Sequence, residues 1–279
     1  MKPKTLNDER FRDVRHVSED SLREWRTYLL KQWGQSAISF LTAVDPTSIR
    51  TDGKTNYVWN TTDEREKVDD PEKPFPNWLY LAVLFDLIER YAVVGIQKSR
   101  QAFATTSLMA YAFWECAFKR SRKTLVSKAT LPEAQEIIEA KIRVPWGRMP
   151  PWLREVLWID DKPANKIRFR NSGSVVIAVA QNAAVRTMRG VTASRVIVDE
   201  AAFQQFFDAM MRAALPMSAS IVALTSADGG EVGGQAFMDH LGLNNPERLK
   251  PLALDFEGFQ KRGELLVPTK WSDDDLDAL

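Results

Sequence analysis

Two adjacent acidic residues, Asp199 and Glu200, are the side chains best placed to carry out chemistry. They follow Val196-Ile-Val198, a run of β-branched apolar residues that is typical of a buried strand. Ligands of open α/β sheets bind at the carboxyl ends of the strands. Asp199 could therefore hold Mg²⁺, and Glu200 could activate a water molecule for attack on a phosphate. The alternative is an ordinary strand end followed by an acid that caps a helix.

A nucleotide site also needs a phosphate-binding loop, and the pattern G-x-x-x-x-G-K-[ST] is absent upstream. A strand, a turn and a helix are nevertheless predicted around Thr105, whose hydroxyl at the helix start could ligate Mg²⁺. In this alignment Phe103 and Ala104 replace the second glycine and the lysine. Lys98 could reach the same phosphate oxygens from the other side of the loop, and Arg100 is a second candidate. The alternative is a solvated turn.

Two further segments accompany the acidic pair. Leu224-Thr-Ser226 ends the next apolar strand, where hydroxyl groups could respond to the terminal phosphate. The alternative is an ordinary loop, in which the same composition is also common.

The segment Arg186-Thr-Met-Arg-Gly-Val-Thr192 is predicted to place two arginines on a loop between strands. An arginine there could stabilise transition-state charge, in its own subunit or in a neighbouring one, or could have a structural role.

The elements that must position these residues form an alternating pattern. Strands of this kind separated by helices predict an α/β fold with a mostly parallel sheet flanked by helices. A hairpin around Asn171-Ser-Gly173 is the exception to the alternation. The predicted strands are 92–96, 124–127, 166–170, 174–179, 194–198 and 219–225, and the predicted helices are 18–33, 78–91, 105–119, 132–142, 149–158 and 203–214.

Composition excludes several other classes of protein. The chain has 279 residues, a net charge of +1, one cysteine and two histidines, so neither disulfides nor a Cys/His metal site is expected. No signal peptide and no apolar run of membrane length is visible, which predicts a cytoplasmic protein without a membrane partner. Basic residues concentrate at 119–123, which predicts either a solvated helix end or a contact with DNA phosphates.

The ordered set of segments resembles the large terminase subunits of tailed bacteriophages, which are ATPase motors that package DNA. Lys98-Ser-Arg-Gln-Ala-Phe-Ala-Thr-Thr106 is similar to the family's K-S-R-Q-x-x-x-[ST] loop, in which the lysine is displaced. The resemblance runs from about Phe75 to His240. Its other segments are Val126-Ser-Lys128, Met149-Pro-Pro-Trp-Leu153, Arg189-Gly-Val-Thr192, Val196-Ile-Val-Asp-Glu-Ala-Ala-Phe203 and Leu224-Thr-Ser226.

This resemblance implies a RecA-like P-loop ATPase fold of the additional-strand, catalytic-glutamate type. It also implies ATP and Mg²⁺ as cofactors and a role for each matching residue. The phosphates would be bound by Lys98, Ser99, Arg100, Gln101, Thr105 and Thr106. The metal would be bound by Thr105 and Asp199. Glu200 would bind and activate the attacking water. Arg189 would be a finger acting in trans, and Thr225 and Ser226 would couple hydrolysis to movement.

The resemblance further implies partners and an organisation. The partners would be double-stranded DNA, the portal protein, the small terminase subunit and further copies of this chain in a ring, by family resemblance a pentamer, in the host cytoplasm. Residues 1–75 would form an N-terminal region, 76–245 the ATPase core and 246–279 a C-terminal segment, with no nuclease domain expected in this chain. Two alternatives remain: another additional-strand ATPase of helicase type, or a scaffold that binds DNA or portal without hydrolysis.

Overall fold

The structure is a computed structural model that describes residues 18–48, 55–62, 72–98, 103–160, 162–226 and 232–240, and the backbone of 259–262 and 265–268. The strands are β1 (Asn60–Thr62), β2 (Glu72–Pro74), β3 (Val93–Lys98), β4 (Lys123–Lys128), β5 (Ile159–Asp160), β6 (Lys166–Phe169), β7 (Val175–Ala180), β8 (Arg195–Asp199), β9 (Ile221–Ser226), β10 (Phe259–Arg262) and β11 (Leu265–Pro268). The pairs β1/β2 and β10/β11 form small antiparallel sheets.

The helices are α1 (Glu19–Trp33), α2 (Ala37–Leu41), α3 (Leu79–Arg90), α4 (Ala104–Phe118), α5 (Leu131–Ile138), α6 (Val144–Gly147), α7 (Pro151–Val156), α8 (Gln181–Gly190), α9 (Phe207–Ala214) and α10 (Val232–His240). A π-helical turn, Glu139–Arg143, joins α5 to α6, and a 3₁₀ turn, Ala201–Phe203, follows β8. Helix α4 is buried on nearly every side, which explains why its sequence is apolar all round.

The main sheet has the strand order β3-β9-β8-β4-β7-β6-β5. The first five of these strands are parallel to one another, whereas β6 and β5 are antiparallel. Both faces are covered, because Ile197 and Val222 pack into one core cluster while Val196 and Ile221 pack into another. The predicted α/β fold with a mostly parallel sheet is therefore confirmed, as is the hairpin of β6 and β7.

The N-terminal helices share the core of the sheet. Trp33 and Phe40 are buried within the same cluster as α4. The indole of Trp114 donates a 2.8 Å hydrogen bond to the carbonyl of Trp33, and the ring of Phe40 stacks on Phe113 at 6.3 Å. Helices α1 and α2 are therefore packed against the α4 face of the sheet.

A buried ion pair fixes the amino end of β8 against α4. Arg195 is 5% exposed and donates to both oxygens of Glu115, at 3.0 and 3.2 Å. It also donates to the carbonyl of Ile88 and to the hydroxyl of Ser220. Burial alone lowers the pKa of Arg195, but Glu115 outweighs burial and holds that pKa above its ordinary value.

Two predictions about local structure are wrong. The loop predicted for Arg186-Thr-Met-Arg-Gly-Val-Thr192 is helical as far as Gly190, because Ala184 and Met188, four residues apart, form a buried stripe that packs α8 onto the core. The helix predicted from Phe203 instead begins at Phe207. The buried side chain of Gln204 bonds the carbonyls of Ser127 and Asp199, which keeps the chain extended at this point.

Among the described residues, none of the helices combines the length and the apolar character needed to cross a membrane.

Candidate active site

Four neighbouring parallel strands end at one edge of the sheet, and their last residues form the centre of the site. These residues are Lys98 of β3, Ser226 of β9, Asp199 of β8 and Lys128 of β4. Helix α4 begins at the same edge, since it follows β3 in the chain. Ligands of α/β sheets bind at such an edge.

Asp199 is the most deeply buried acid of the site, with 2% of its surface exposed. Its two carboxylate oxygens have different partners. Oδ1 accepts a 2.9 Å hydrogen bond from the hydroxyl of Thr105, in the first turn of α4. Oδ2 accepts one of 2.8 Å from the ammonium of Lys128. The carboxylate is therefore fixed between the start of α4 and the end of β4.

The hydroxyl of Thr105 and the carboxylate of Asp199 form a hydrogen bond, and both oxygens could also hold a magnesium ion. Two adjacent oxygens on an octahedral Mg²⁺ with bonds of about 2.0–2.1 Å lie about 2.9 Å apart, and the oxygens of Thr105 and Asp199 are 2.9 Å apart. Within the described part of the chain, no cluster of three or more His, Cys, Asp or Glu side chains could hold a metal. A site of two protein oxygens suits a metal that brings phosphate and water ligands of its own.

Glu200 has an unusual backbone conformation. Its φ and ψ angles are 53° and 49°, in the left-handed region that is uncommon outside glycine. Its carboxylate accepts hydrogen bonds from the ammonium of Lys98 at 3.0 Å and from the amide and hydroxyl of Ser226 at 3.2 and 3.1 Å. About a third of the side chain, 35%, is exposed, against 7% for Lys98. The carboxylate is thus held in a fixed place and remains open to solvent.

The electrostatics of Glu200 depend on these contacts. Burial raises the pKa of Glu200, but the hydrogen bonds from Lys98 and Ser226 outweigh burial, so that its pKa lies below the ordinary value. The carboxylate is therefore ionised at neutral pH. Movement of Lys98 away from it would raise its pKa, toward the range in which a carboxylate is an effective general base.

Phe103 precedes α4 in the position where a phosphate loop has a glycine. Its φ of 56° is the left-handed conformation that glycine adopts without strain. Its ring contacts Phe75 and Trp78, at 5.6 and 5.9 Å between centroids. Trp78 in turn stacks on Tyr80, and burial raises the pKa of Tyr80 to about 12. The conformation of the loop end is thus held by aromatic packing.

The structure brings together most of the predicted site residues that it describes. Lys98 and Ser226 contact Glu200, and Thr105 contacts Asp199. The hydroxyl of Thr225 accepts a hydrogen bond from the amide of Ala202, two residues beyond Glu200. Thr106 follows Thr105 in α4. Ser99, Arg100 and Gln101 lie outside the described residues.

Arg189 is not among the residues brought together. It lies exposed in the last turn of α8. Helix α8 starts where β7 ends and leads back to the beginning of β8, which lies at the opposite edge of the sheet from Asp199. Arg189 therefore lies toward the opposite edge of the sheet from Asp199 and Glu200.

Three site residues were given no role from the sequence, although two of them, Ser127 and Lys128, lie in the resembling segment Val126-Ser-Lys128. Lys128 pairs with Asp199, and its place after a predicted strand, 124–127, is the signal that could have found it. Ser127 donates to the side-chain oxygen of Gln204 at 2.8 Å, and Gln204 donates to the carbonyl of Asp199. No local pattern indicates Gln204, because its burial depends on the path of the chain after β8.

The basic residues at 119–123 lie away from these acids, between the end of α4 and the start of β4. The ammonium of Lys119 lies 4.6 Å from the ring centroid of Trp114 and 3.5 Å from Glu89. A contact of this segment with DNA stays a prediction.

No protein-family model and no curated protein matches this sequence. Among solved structures, the chain is similar to the large terminase of bacteriophage HK97, with a TM-score of 0.53 and 12% identity. That similarity covers 77% of this chain and 42% of the HK97 chain, so the present chain spans less than half of that protein's length. This likeness confirms the resemblance at the level of fold.

Two further structures have lower TM-scores. The large terminase of a thermophilic bacteriophage is 13% identical, with a TM-score of 0.45 over 61% of this chain and 44% of that one. The Hef helicase domain of Pyrococcus furiosus is 15% identical, with a TM-score of 0.39 over 59% of this chain and 36% of that one.

Proposed function

We propose that this chain is an ATPase that couples hydrolysis of ATP to translocation of double-stranded DNA into a viral capsid. The observation that carries the proposal is the arrangement of two carboxylates at one sheet edge. Asp199 and Thr105 are hydrogen-bonded to each other and would together ligate Mg²⁺, while Glu200 is held apart from them by Lys98 and Ser226. The fold shared with the HK97 large terminase supports the motor as the context of this chemistry.

The two carboxylates have different tasks in hydrolysis. Glu200 takes a proton from a water molecule as the water oxygen attacks the γ-phosphorus; the bond to the ADP oxygen breaks, and ADP leaves with its electron pair. Lys98 and the amino end of α4 hold the phosphate oxygens. Mg²⁺ held by Thr105 and Asp199 would neutralise charge on the phosphates when bound.

Strand β9 is the element that would carry the signal of hydrolysis. It lies between β3 and β8, which bear Lys98 and Asp199. Ser226, at its end, contacts the Glu200 carboxylate, and Thr225 holds the amide of Ala202. Binding of the γ-phosphate beside Lys98 and Glu200 would rearrange these contacts, and its loss would restore them and shift the end of β9. This is the coupling role proposed for Thr225 and Ser226.

The proposed assembly follows from the position of Arg189. Because Arg189 lies toward the opposite edge of its own sheet, we propose that it acts on the site of a neighbouring copy in a ring, proposed as a pentamer. Portal protein, small terminase subunit and double-stranded DNA are the proposed partners, in the host cytoplasm. Residues 76–245 would form the ATPase core between the regions 1–75 and 246–279.

The experiment that tests this function is ATP hydrolysis by the full chain, with and without double-stranded DNA and portal protein. Wild-type protein should hydrolyse ATP and be stimulated by double-stranded DNA. Glu200→Gln should keep nucleotide binding and lose about 100-fold or more in rate, because it removes the base. Glu136→Gln, on the exposed face of α5, is the matched control and should leave the rate unchanged.

Other results would favour the alternatives. Hydrolysis stimulated by single-stranded but not by double-stranded DNA would favour a helicase-type ATPase. Undetectable hydrolysis, even with DNA and portal present, would contradict the motor and favour the scaffold. The scaffold has its support in Phe103 and Ala104, which replace the loop glycine and lysine.

A further inference from the structure

Lys128 is a partly buried cation that the mechanism above does not use. It ends β4, and its ammonium lies 2.8 Å from Oδ2 of Asp199. Only 17% of its side chain and 2% of that of Asp199 are exposed. Desolvation offsets much of the attraction within such a pair, so stability alone is a weak reason for its presence. The pair is better explained by a task at the edge of the sheet.

Each carboxylate oxygen of Asp199 contacts a different partner. Oδ1 faces Thr105, with the spacing that fits Mg²⁺, and Oδ2 faces Lys128. A divalent cation at Oδ1 and an ammonium at Oδ2 would therefore share one carboxylate and repel each other across it. Lys128 supplies Asp199 with positive charge, as the metal would also do.

The other ion pair of the site also indicates that the lysines must change partners when a nucleotide binds. Among the described residues at this edge, the two lysines are each in an ion pair: Lys98 with Glu200 and Lys128 with Asp199. Neither ammonium can engage a phosphate fully until its carboxylate gains another partner. The position of the usual loop lysine is occupied by Ala104. A nucleotide bound together with Mg²⁺ supplies both the missing cation for Asp199 and new oxygens for a lysine.

We propose that Lys128 neutralises Asp199 while the site is empty and transfers its ammonium to the terminal phosphates of ATP when the nucleotide arrives with Mg²⁺. This inference rests on the proposed function. A lysine suits the exchange because its charge is compact and its four-carbon stem is flexible, so the ammonium can move without a change in the backbone. Lys128 therefore disfavours binding of the metal alone and favours binding of the metal together with the nucleotide.

The test compares binding of Mn²⁺ alone with use of Mg²⁺·ATP in the variant Lys128→Met. Mn²⁺ binding to the nucleotide-free full chain is measured by electron paramagnetic resonance. Removal of the competing ammonium should tighten Mn²⁺ binding about ten-fold. In the same variant, affinity for Mg²⁺·ATP should fall about ten-fold or more, because a phosphate-binding charge is lost. If Lys128 had only a structural role, its substitution would weaken the binding of Mn²⁺ and of Mg²⁺·ATP alike.

Matched variants complete the design. Lys123→Met, at the other end of β4, should change neither quantity. Asp199→Asn should abolish Mn²⁺ binding in either background, and thermal unfolding checks that each variant is folded.

Mn²⁺ binding no tighter in Lys128→Met than in wild-type protein would overturn the inference. If wild-type protein fails to hydrolyse ATP, the proposed function fails, while the Mn²⁺ comparison still reports on the exchange at Asp199.

Discussion

The proton affinity of Glu200 is set by side chains from two different strands. Lys98 ends β3 and Ser226 ends β9, and both donate to its carboxylate. Glu200 is therefore the point at which the proposed phosphate-binding and coupling residues meet. Its left-handed backbone and the 3₁₀ turn that follows direct it toward both partners.

Lys98→Met should destabilise the fold in a pH-dependent way. The folded-state pKa of Glu200 lies below its ordinary value of 4.5. The stabilising contribution of the pair is therefore present above pH 4.5 and is lost as pH falls through the folded-state pKa. The variant should lose about 0.5–1 kcal/mol at pH 7, and the loss should shrink below pH 4.5. Urea unfolding of wild-type protein and variant at a series of pH values measures this difference in the free energy of unfolding.

The double variant Lys98→Met/Glu200→Gln is the control for this effect. Without the carboxylate at position 200, the lysine substitution should have the same cost at every pH. A pH-independent cost in the wild-type background would instead assign the stabilising role of Lys98 to packing alone.

At the scale of elements, the order β3-β9-β8-β4 is what assembles the site from distant parts of the sequence. Lys98 and Glu200 are 102 residues apart, yet their side chains are 3.0 Å apart. Helix α10 supports this assembly from one side, because it packs on the turn Ala201–Phe203 that follows Glu200.

Gly233→Ala should disturb the site through this helix contact. A Cβ at Gly233 would lie 2.5 Å from the carbonyl oxygen of Ala202 and 2.7 Å from that of Gln204. These are backbone atoms, so α10 or the turn must move, at a cost of about 1–3 kcal/mol. We expect a lower melting temperature and slower ATP hydrolysis.

Gly147→Ala is the comparison, since no atom lies within 4 Å of a Cβ there. If both glycine variants melt at the same temperature and hydrolyse ATP equally well, the packing of α10 on the turn does not support the site.

Sequence patterns predicted some elements well and others poorly, for physical reasons. Strand β8 was predictable because Val196-Ile-Val198 is β-branched and wholly buried. Helix α8 was missed because its exposed arginines hide a buried stripe of only two residues. The pairing of Lys128 with Asp199 spans 71 residues, so it depends on strand order, which local patterns do not contain.

At the scale of the whole molecule, the site edge and the Arg189 edge are opposite ends of one sheet. A ring of copies could place the Arg189 edge of one subunit against the site edge of the next. Helices α1 and α2 do not lie apart from this core, since Trp33 and Phe40 are buried within it.

Mixing two inactive variants should restore hydrolysis if Arg189 acts in trans. Arg189→Ala and Glu200→Gln should each lose about 100-fold or more in rate alone. An equal mixture should recover up to about a quarter of the wild-type rate, because randomly assembled subunits pair an intact Arg189 with an intact Glu200 at one interface in four. Steady-state ATP hydrolysis with DNA present measures this.

Arg186→Ala, one turn earlier on the same exposed face, should keep the wild-type rate and so serves as the control. A mixture no faster than the sum of its two components would show that no active site is shared between subunits.

The left-handed Phe103 has a consequence for how such loops are found in a sequence. A left-handed conformation costs a non-glycine residue about 1–2 kcal/mol, and each aromatic contact returns about 0.5–1.5 kcal/mol. Contacts with Phe75 and Trp78 can therefore offset the cost of losing glycine. Because neighbouring rings hold the conformation of Phe103, a glycine is not required at this position, and a search for the glycine pattern passes over it.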